Sequence, residues 1–335
     1  MVDTNETGAA RPTVAVVGSI NRDVLIACEH LPSVGETVTG SGFADARGGK
    51  GANQAAAAAV AAGGTLDVVL IGAVGDDAEG QVELADLEQR GVDITHVERV
   101  SGVTTGTAFV SVDRHGANQI VVVPGANAAV SPKHVRRAVG RLRPRVVLVS
   151  LEIPHEAAEA ALHAASGVHA TTILNPTPVA GLRREILAAC DVLTPNEVEF
   201  RQLAQLAGGG AGSRAGNRAG SDAEVDEATA PTLVEGVGLP RRRTVFAITL
   251  GERGVLLVDD GRARRIAAPA VDVVDTTGAG DVFNGVLAAY LARGSHIATA
   301  AAEAVALASR STGDRGARLR VDPKLGSTFR AVDGS

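Results

Sequence analysis

Residues Asp275 to Gly285 read DTTGAGDVFNG. Gly278, Ala279 and Gly280, all small or turn-forming, run straight into Asp281. An apolar stretch of helical spacing follows, with Val282, Phe283, Val286, Leu287 and Leu291 on one face. Glycine lets a backbone turn tightly and bare its N–H groups. At a helix start those groups sit at the positive end of the dipole, where anions bind. A phosphoryl group in transfer gathers negative charge on its oxygens, and donors fixed in advance stabilise it without reorganising. A carboxylate in that turn repels a ground-state phosphate, so its natural use is to take the proton of an attacking hydroxyl. Taken alone, the stretch reads equally well as a plain capping turn with Asp281 in the first turn of the helix.

Five further pieces could work with it. ARGGKGANQAAAAA, Ala46 to Ala59, leads a glycine-rich turn through Gly49, Lys50 and Gly51 into a helix with Asn53 in its first turn. Exposed backbone plus an amide suits a neutral polyol, or simply a tight turn. GSINRD sets Asn21 and Asp23 just past the first strand, at the carboxyl end where open α/β sheets bind ligands. LEIP puts Glu152 at the same edge of another strand. TPNEVE sets Asn196 and Glu199 three apart at a helix start, either for a Mg²⁺–water shell or a phosphate, or as an ordinary capping box. TLGERG, with Thr249, Gly251 and Gly254, ends a strand in a glycine turn with room for a nucleotide. A P-loop GxxxxGK[ST] and a dinucleotide GxGxxG are both absent. Asp76 and Asp77 could be paired acids, but a helix over Gly80–Arg90 follows, and helix-start residues are the simpler reading. The eight histidines show no HExxH or HxxxH spacing, which argues against a histidine metal site.

The elements that must position these groups follow from periodicity. Buried strands are expected at Val14–Val17, Val68–Ile71, Val146–Val149, Thr172–Leu174, Val192–Leu193 and Val245–Thr249. Helices are expected at Gly51–Ala62, Gly80–Arg90, Pro132–Leu142, His155–Ser166 and Glu197–Leu206. That alternation implies an α/β fold: a central, mostly parallel sheet with helices on both faces. Two regions, near 24–47 and 105–123, alternate apolar and polar residues like exposed antiparallel strands, and we read them as one small β-sheet lid. A single domain over 12–325 is expected, with tails at 1–11 and 326–335 and a flexible Gly/Ser/Arg insertion at 208–222.

Composition narrows the class. A net charge of -6 and 2% aromatics argue against a nucleic-acid partner. The longest pure apolar run, Ala55–Ala62, is too short to span a bilayer, and the polar start is no signal peptide, so a cytoplasmic protein without a membrane partner is expected. Cys28 and Cys190 read as buried free thiols.

Each piece is weak, but their order is not. GSIN-x-D, GGKGANQA, VGDDAEG, VVVPGAN, LEIP, NPTP, TPNE-x-E, TLGxxG and DTTGAGDVFNG together resemble the ribokinases within the wider ribokinase-like (PfkB-type) carbohydrate kinases, from about Val14 to Gly316. The resemblance implies ATP-dependent phosphorylation of D-ribose at its 5-hydroxyl. Another sugar or a nucleoside is the alternative, and a non-catalytic sugar-binding regulator a more distant one. It implies that Asn21, Asp23, Gly49, Lys50, Gly51, Asn53 and Glu152 hold the sugar. Asn196, Thr249, Gly251, Gly254 and Gly280 would contact the nucleotide, and Glu199 would help position Mg²⁺. Asp281 would be the base, and Gly278, Ala279 and Gly280 the anion hole. A homodimer through the lid is implied too.

The resemblance also implies K⁺ beside the anion hole, held by Asp275 and Thr277 on one side and by Ser311, Asp314 and Gly316 on the other. An ungapped match sets Arg320 where the family often has serine, and a guanidinium has only donors. Arg320 would either swing outward or pair with Asp275 in place of the ion. The desolvation cost of burying such a pair favours a retained K⁺ site.

Overall fold

The computed structural model describes residues 11–208, 225–239, 244–314 and 316–319. In chain order the elements are β1 (Thr13–Val17), β2 (Asn21–Cys28), β3 (Gly40–Gly48), α1 (Lys50–Ala62), β4 (Asp67–Gly75), α2 (Ala78–Gln89), β5 (Val92–Val100), β6 (Gly106–Val112), β7 (Asn118–Val123), α3 (Pro132–Leu142), β8 (Val146–Ser150), α4 (His155–Gly167) and β9 (Thr171–Asn175). They continue with α5 (Arg184–Ala188), β10 (Val192–Leu193), α6 (Glu197–Gly208), α7 (Ala230–Val237), β11 (Val245–Thr249), β12 (Val255–Asp259), β13 (Arg262–Ile266), α8 (Ala279–Ala292) and α9 (Ile297–Ser311). The expected 1–11 tail (but for Arg11), most of the 208–222 insertion, the 326–335 tail and Arg320 lie outside the described residues.

Among the described residues, nine strands form one sheet in the order β13-β12-β11-β10-β9-β8-β1-β4-β5. Pairing is parallel from β5 to β11 and antiparallel only at β11–β12–β13. The inner parallel strands are covered on both faces, which is why their sequences read as continuous apolar runs, whereas the edge strand β5 (VDITHVERV) is half exposed. In β1, Val14 and Val16 face a core shared with α1, α8 and α9, while Ala15 and Val17 face α3, α4 and α6. The alanine run of α1 is buried against α8, where small side chains let two helices approach closely. Ser131 caps α3 ahead of Pro132, and Asp77 caps α2 by accepting from Gly80 N at 2.8 Å. The helix-start reading of Asp77 is therefore the observed one. Both cysteines are buried free thiols. Among the described residues, no helix is long and apolar enough to cross a membrane.

A separate four-stranded sheet, β3-β2-β6-β7, projects from the large one. Here one expectation needs correction. β2–β3 and β6–β7 are antiparallel, but β2 and β6 pair in parallel. The reason lies in the parent sheet. β1 and β5 run the same way beside β4, so the chain leaves both at the same end. Exposed apolar residues mark this sheet: by register Phe43, Phe109 and Val121 share one face, and Ile120 lies on the other.

Candidate active site

The carboxyl ends of β1, β8, β10 and β11 meet at one edge, and the expected site residues gather there. The short turn after β1 delivers Asn21 and Asp23 at the start of β2. Gly49 caps α1 with φ 84°, and a Cβ on it would lie 2.6 Å from Asn21 N. Only glycine fits there, and the tight contact holds the first turn of α1 against the β1–β2 turn. That turn presents Lys50, Asn53 and Gln54 to α8.

Asp281 stands at the meeting point. Asn53 Nδ2 donates to its Oδ2 at 3.0 Å, and Gln54 Nε2 to its Oδ1 at 3.0 Å. Burial pushes its carboxyl above the usual carboxylate range, against the pull of Lys50, Asn53 and Gln54. A buried carboxylate raised in this way is a stronger proton acceptor. Lys50 is raised as well: burial works against its charge, but Asp281, Glu152, Glu199 and Asp23 outweigh that cost. Glu152 Oε2 accepts from Ser19 Oγ at 2.6 Å and from Lys50 N at 3.3 Å. Asn127 Nδ2 donates to Asn21 Oδ1 at 2.7 Å. Asp23 is pushed up to about 7, by burial first and then by Glu152, Glu83 and Asp281, with Arg318 opposing. Among the described residues its buried Oδ1 has no hydrogen-bond partner. That oxygen is closed off against Gly48, so a ligand's hydroxyl donors would meet the other oxygen of the carboxylate.

On the other side of Asp281 a cavity of about 880 Å³ opens, lined by Thr249, Gly251, Gly254, Ala268, Val271, Ala279, Gly280, Phe283 and Val305 among others. Gly278 caps α8 with φ 77°, and a Cβ on it would lie 2.3 Å from Ala317 O. Asn284 Nδ2 donates to Gly280 O at 2.8 Å, which fixes the turn from within the helix. The first turn of α8 faces this cavity beside Asp281 at Ala279 and Gly280, with the Ala279 N–H donating to Thr276 O at 3.2 Å.

Asn196 and Glu199 form the reciprocal capping box that their spacing allows: Asn196 N donates to Glu199 Oε2 and Glu199 N to Asn196 Oδ1, both at 2.8 Å. Thr177 Oγ1 donates to the other carboxylate oxygen, Glu199 Oε1, at 2.5 Å. Asn196 also bridges Thr249, which joins this helix start to the cavity wall. Of the residues expected to ring a monovalent cation, Asp275 accepts from Thr277 N at 2.9 Å and from Gly316 N at 3.0 Å, so these three lie together. Ser311 is committed elsewhere in part: its hydroxyl donates to Ala308 O, and its carbonyl accepts from Asp314 N.

Several site residues escaped the sequence reading. Gln54 sits next to Asn53, and its Nε2 donates to both Asp281 and Asn175. Arg318 is buried against Gly48 and Asn53. For Gln54 the signal was present in GANQ; for Arg318 it lay 265 residues from its partner Asn53.

Residues 11–324 match the pfkB family carbohydrate kinase description. A ribokinase of Haemophilus influenzae is 34% identical over 276 residues, covering 82% of this chain and 84% of the relative. A ribokinase of Bacillus subtilis is 33% identical over 306 residues, covering 91% and 94%. The structure of Arabidopsis thaliana ribokinase complexed with ribose and ATP superimposes with a TM-score of 0.75 at 29% identity, covering 95% of this chain and 99% of that one.

Proposed function

The chain belongs to the pfkB family of carbohydrate kinases, and from that premise we propose that it transfers the γ-phosphoryl group of ATP to the 5-hydroxyl of D-ribose. The observation that carries the reading is the placement of Asp281. It lies between a pocket of buried hydroxyl acceptors and a glycine turn at a helix N-terminus. Asn21, Asp23, Gly49, Lys50, Gly51, Asn53 and Glu152 receive the sugar. Asp281 takes the proton from its 5-hydroxyl as that oxygen bonds to the γ-phosphorus. The bond from phosphorus to the β–γ bridging oxygen breaks, ADP leaves, and D-ribose 5-phosphate forms. The N–H groups of the Gly278–Gly280 turn stabilise the charge on the phosphoryl oxygens, a role in which fixed donors act most strongly. Asn196, Thr249, Gly251, Gly254 and Gly280 hold the nucleotide.

The half-buried Glu199, its carboxylate steadied by Asn196 and Thr177, suits a Mg²⁺ ion held through its water shell, which would neutralise phosphate charge when bound. The clustering of Asp275, Thr277 and Gly316, with Asp314 in the same loop, supports a K⁺ site that would add positive field behind the anion hole; Ser311 suits it less. Turnover with K⁺ against Na⁺ at equal ionic strength tests that site, and equal rates would remove it. The exposed apolar face of the small sheet supports a homodimer through the lid, to be read by light scattering. Two reduced thiols and ATP use fit a cytoplasmic enzyme.

The test of function is a panel of D-ribose, 2-deoxy-D-ribose, D-fructose and adenosine, read by ADP release. D-ribose should give the highest kcat/KM. A clear preference for fructose or adenosine would replace the reading with the nearest alternative in the family.

A further inference from the structure

Helix α2 turns Glu83 and Asp86, three residues apart, toward the segment that follows α9. Arg318 comes from that segment, with its side chain 3% exposed, and meets Glu83, whose side chain is 0% exposed. Its Nη2 donates to Glu83 Oε2 at 2.7 Å and its Nη1 to Asp86 Oδ2 at 2.5 Å. Arg47 Nη1 donates to Glu83 Oε1 at 3.1 Å and Arg90 Nε to Asp86 Oδ2 at 2.9 Å, so three guanidiniums share the two carboxylates. The other donors of Arg318 go to the sugar-facing wall: Nε donates to Asn53 Oδ1 at 3.2 Å and Nη2 to Gly48 O at 3.1 Å.

That pair of contacts fixes the direction of the Asn53 amide. Its oxygen is claimed by Arg318 and its NH₂ by Asp281 Oδ2, 3.0 Å away. Turned over, the amide would set oxygen against carboxylate and NH₂ against guanidinium, two repulsive contacts in place of two bonds. The same short segment touches the other half of the site. Gly316 N donates to Asp275 Oδ2, and Ala317 packs against Gly278, where a Cβ would lie 2.3 Å from Ala317 O. A buried ion cluster contributes little net stability over an apolar filling of the same shape. What only an arginine supplies is a rigid fork that reaches four acceptors at once.

We propose that Arg318 is a positioning residue for phosphoryl transfer. It locks the Asn53 amide and the Gly48 carbonyl in the orientation that receives the sugar beside Asp281, and through Ala317 and Gly316 it ties that wall to the anion-hole turn. This rests on the function proposed above. It goes beyond it by assigning a residue of the C-terminal segment to the sugar side of the reaction.

The test compares Arg318→Lys with the doubly neutral variant Glu83→Gln/Arg318→Met, which leaves neither buried charge alone. A lysine can keep the carboxylates but cannot also span Asn53 and Gly48. In both variants, D-ribose affinity by calorimetry without nucleotide should weaken about tenfold, the loss of one or two hydrogen bonds to the ligand. The KM for ATP at saturating sugar should stay within about twofold of the parent, since no contact to the nucleotide cavity is removed. A merely structural cluster would lower the melting temperature and the active fraction and leave both ligands' affinities alone. If Arg318→Lys does not fold, the double variant decides. Parent-like ribose affinity in a folded variant, or an equal loss for ribose and ATP, overturns the proposal. The parent assayed in parallel separates the two claims: failure of the parent to phosphorylate ribose defeats the function, whereas an active parent with sugar-competent variants defeats only the role of Arg318.

Discussion

The two sides of Asp281 are built differently. Toward β2 and α1, polar groups are buried and paired in advance: Asn53 and Gln54 grip Asp281, Ser19 and the Lys50 backbone hold Glu152, and Asn127 holds Asn21. Toward α8 and α9, an open cavity of about 880 Å³ offers apolar walls, glycines and backbone N–H groups. A sugar has a hydroxyl on nearly every carbon, and each needs a partner in a set direction, or a buried polar group is stranded. A nucleotide brings a flat apolar base and a highly charged tail, which shape and a helix N-terminus can serve. Changes on the first side should therefore cost selectivity for the sugar. On the second side, side chains should be forgiving and the glycines should not.

The largest effect is expected where the sides meet. Asp281→Asn keeps the side-chain volume but turns an NH₂ toward the donor of Asn53 or Gln54, so it should fold with some loss of stability, while turnover should drop about 10²–10⁴-fold, the usual cost of a missing general base. Steady-state kcat at saturating ribose and ATP reads this, and a loss of only a few-fold would show that the proton goes elsewhere. On the sugar side, Asp23→Ala should weaken ribose binding by about 1–3 kcal/mol, roughly 5- to 150-fold, with the KM for ATP unmoved. Calorimetry that finds ribose affinity unchanged in both Asp23→Ala and Glu152→Ala would move the sugar pocket.

On the nucleotide side two neighbouring glycines should separate fold from function. Gly280 has open space where a Cβ would go, so Gly280→Ala should melt near the parent while its methyl enters the cavity and raises the KM for ATP about tenfold. Gly278 has φ 77° and Ala317 O in the way, so Gly278→Ala should lose about 1–3 kcal/mol of stability. Paired denaturation and kinetic curves check both, and the reverse pattern would erase the contrast.

The smallest effect is on pH. Asp23 in the free protein lies at about 7 against an ordinary value near 3.8. A raised carboxyl stabilises the fold fully only below its unfolded value, and that contribution is lost as pH rises through the folded one. The free protein should therefore melt a few degrees lower at pH 8 than at pH 6 on account of this group, and Asp23→Asn should flatten that difference. Ribose hydroxyls favour the ionised form, so ribose binding should weaken below pH 7 and release protons near it.

What could be read in the sequence follows the same division. DTTGAGD announced its turn because glycine, alanine and aspartate act within one helix start. Asn196 and Glu199 announced their capping box because the two residues sit three apart. Six strands of the parallel sheet were legible as apolar runs, but the edge strand β5, with its polar alternation VDITHVERV, was not. The hairpin β12–β13 was missed although Asp260 and Gly261, both with positive φ, carry a common hairpin-turn signal. The parallel pairing of β2 with β6 was invisible, because it depends on where β1 and β5 lie in another sheet. Arg318 stayed hidden for a similar reason: its partner Asn53 lies 265 residues away, and no local spacing encodes that distance. Gln54 is the opposite case, since it follows Asn53 directly in GANQ.

The account stands most directly on which hydroxyl faces the turn. D-Ribose and ATP incubated with the enzyme and followed by carbon and phosphorus NMR will show it. Phosphorus coupling should appear at C5 of ribose, with one ADP formed for each phosphate transferred. Phosphate at C1, or no ribose phosphate at all while fructose or adenosine is consumed, would contradict the claim that Asp281 serves the 5-hydroxyl of a pentose.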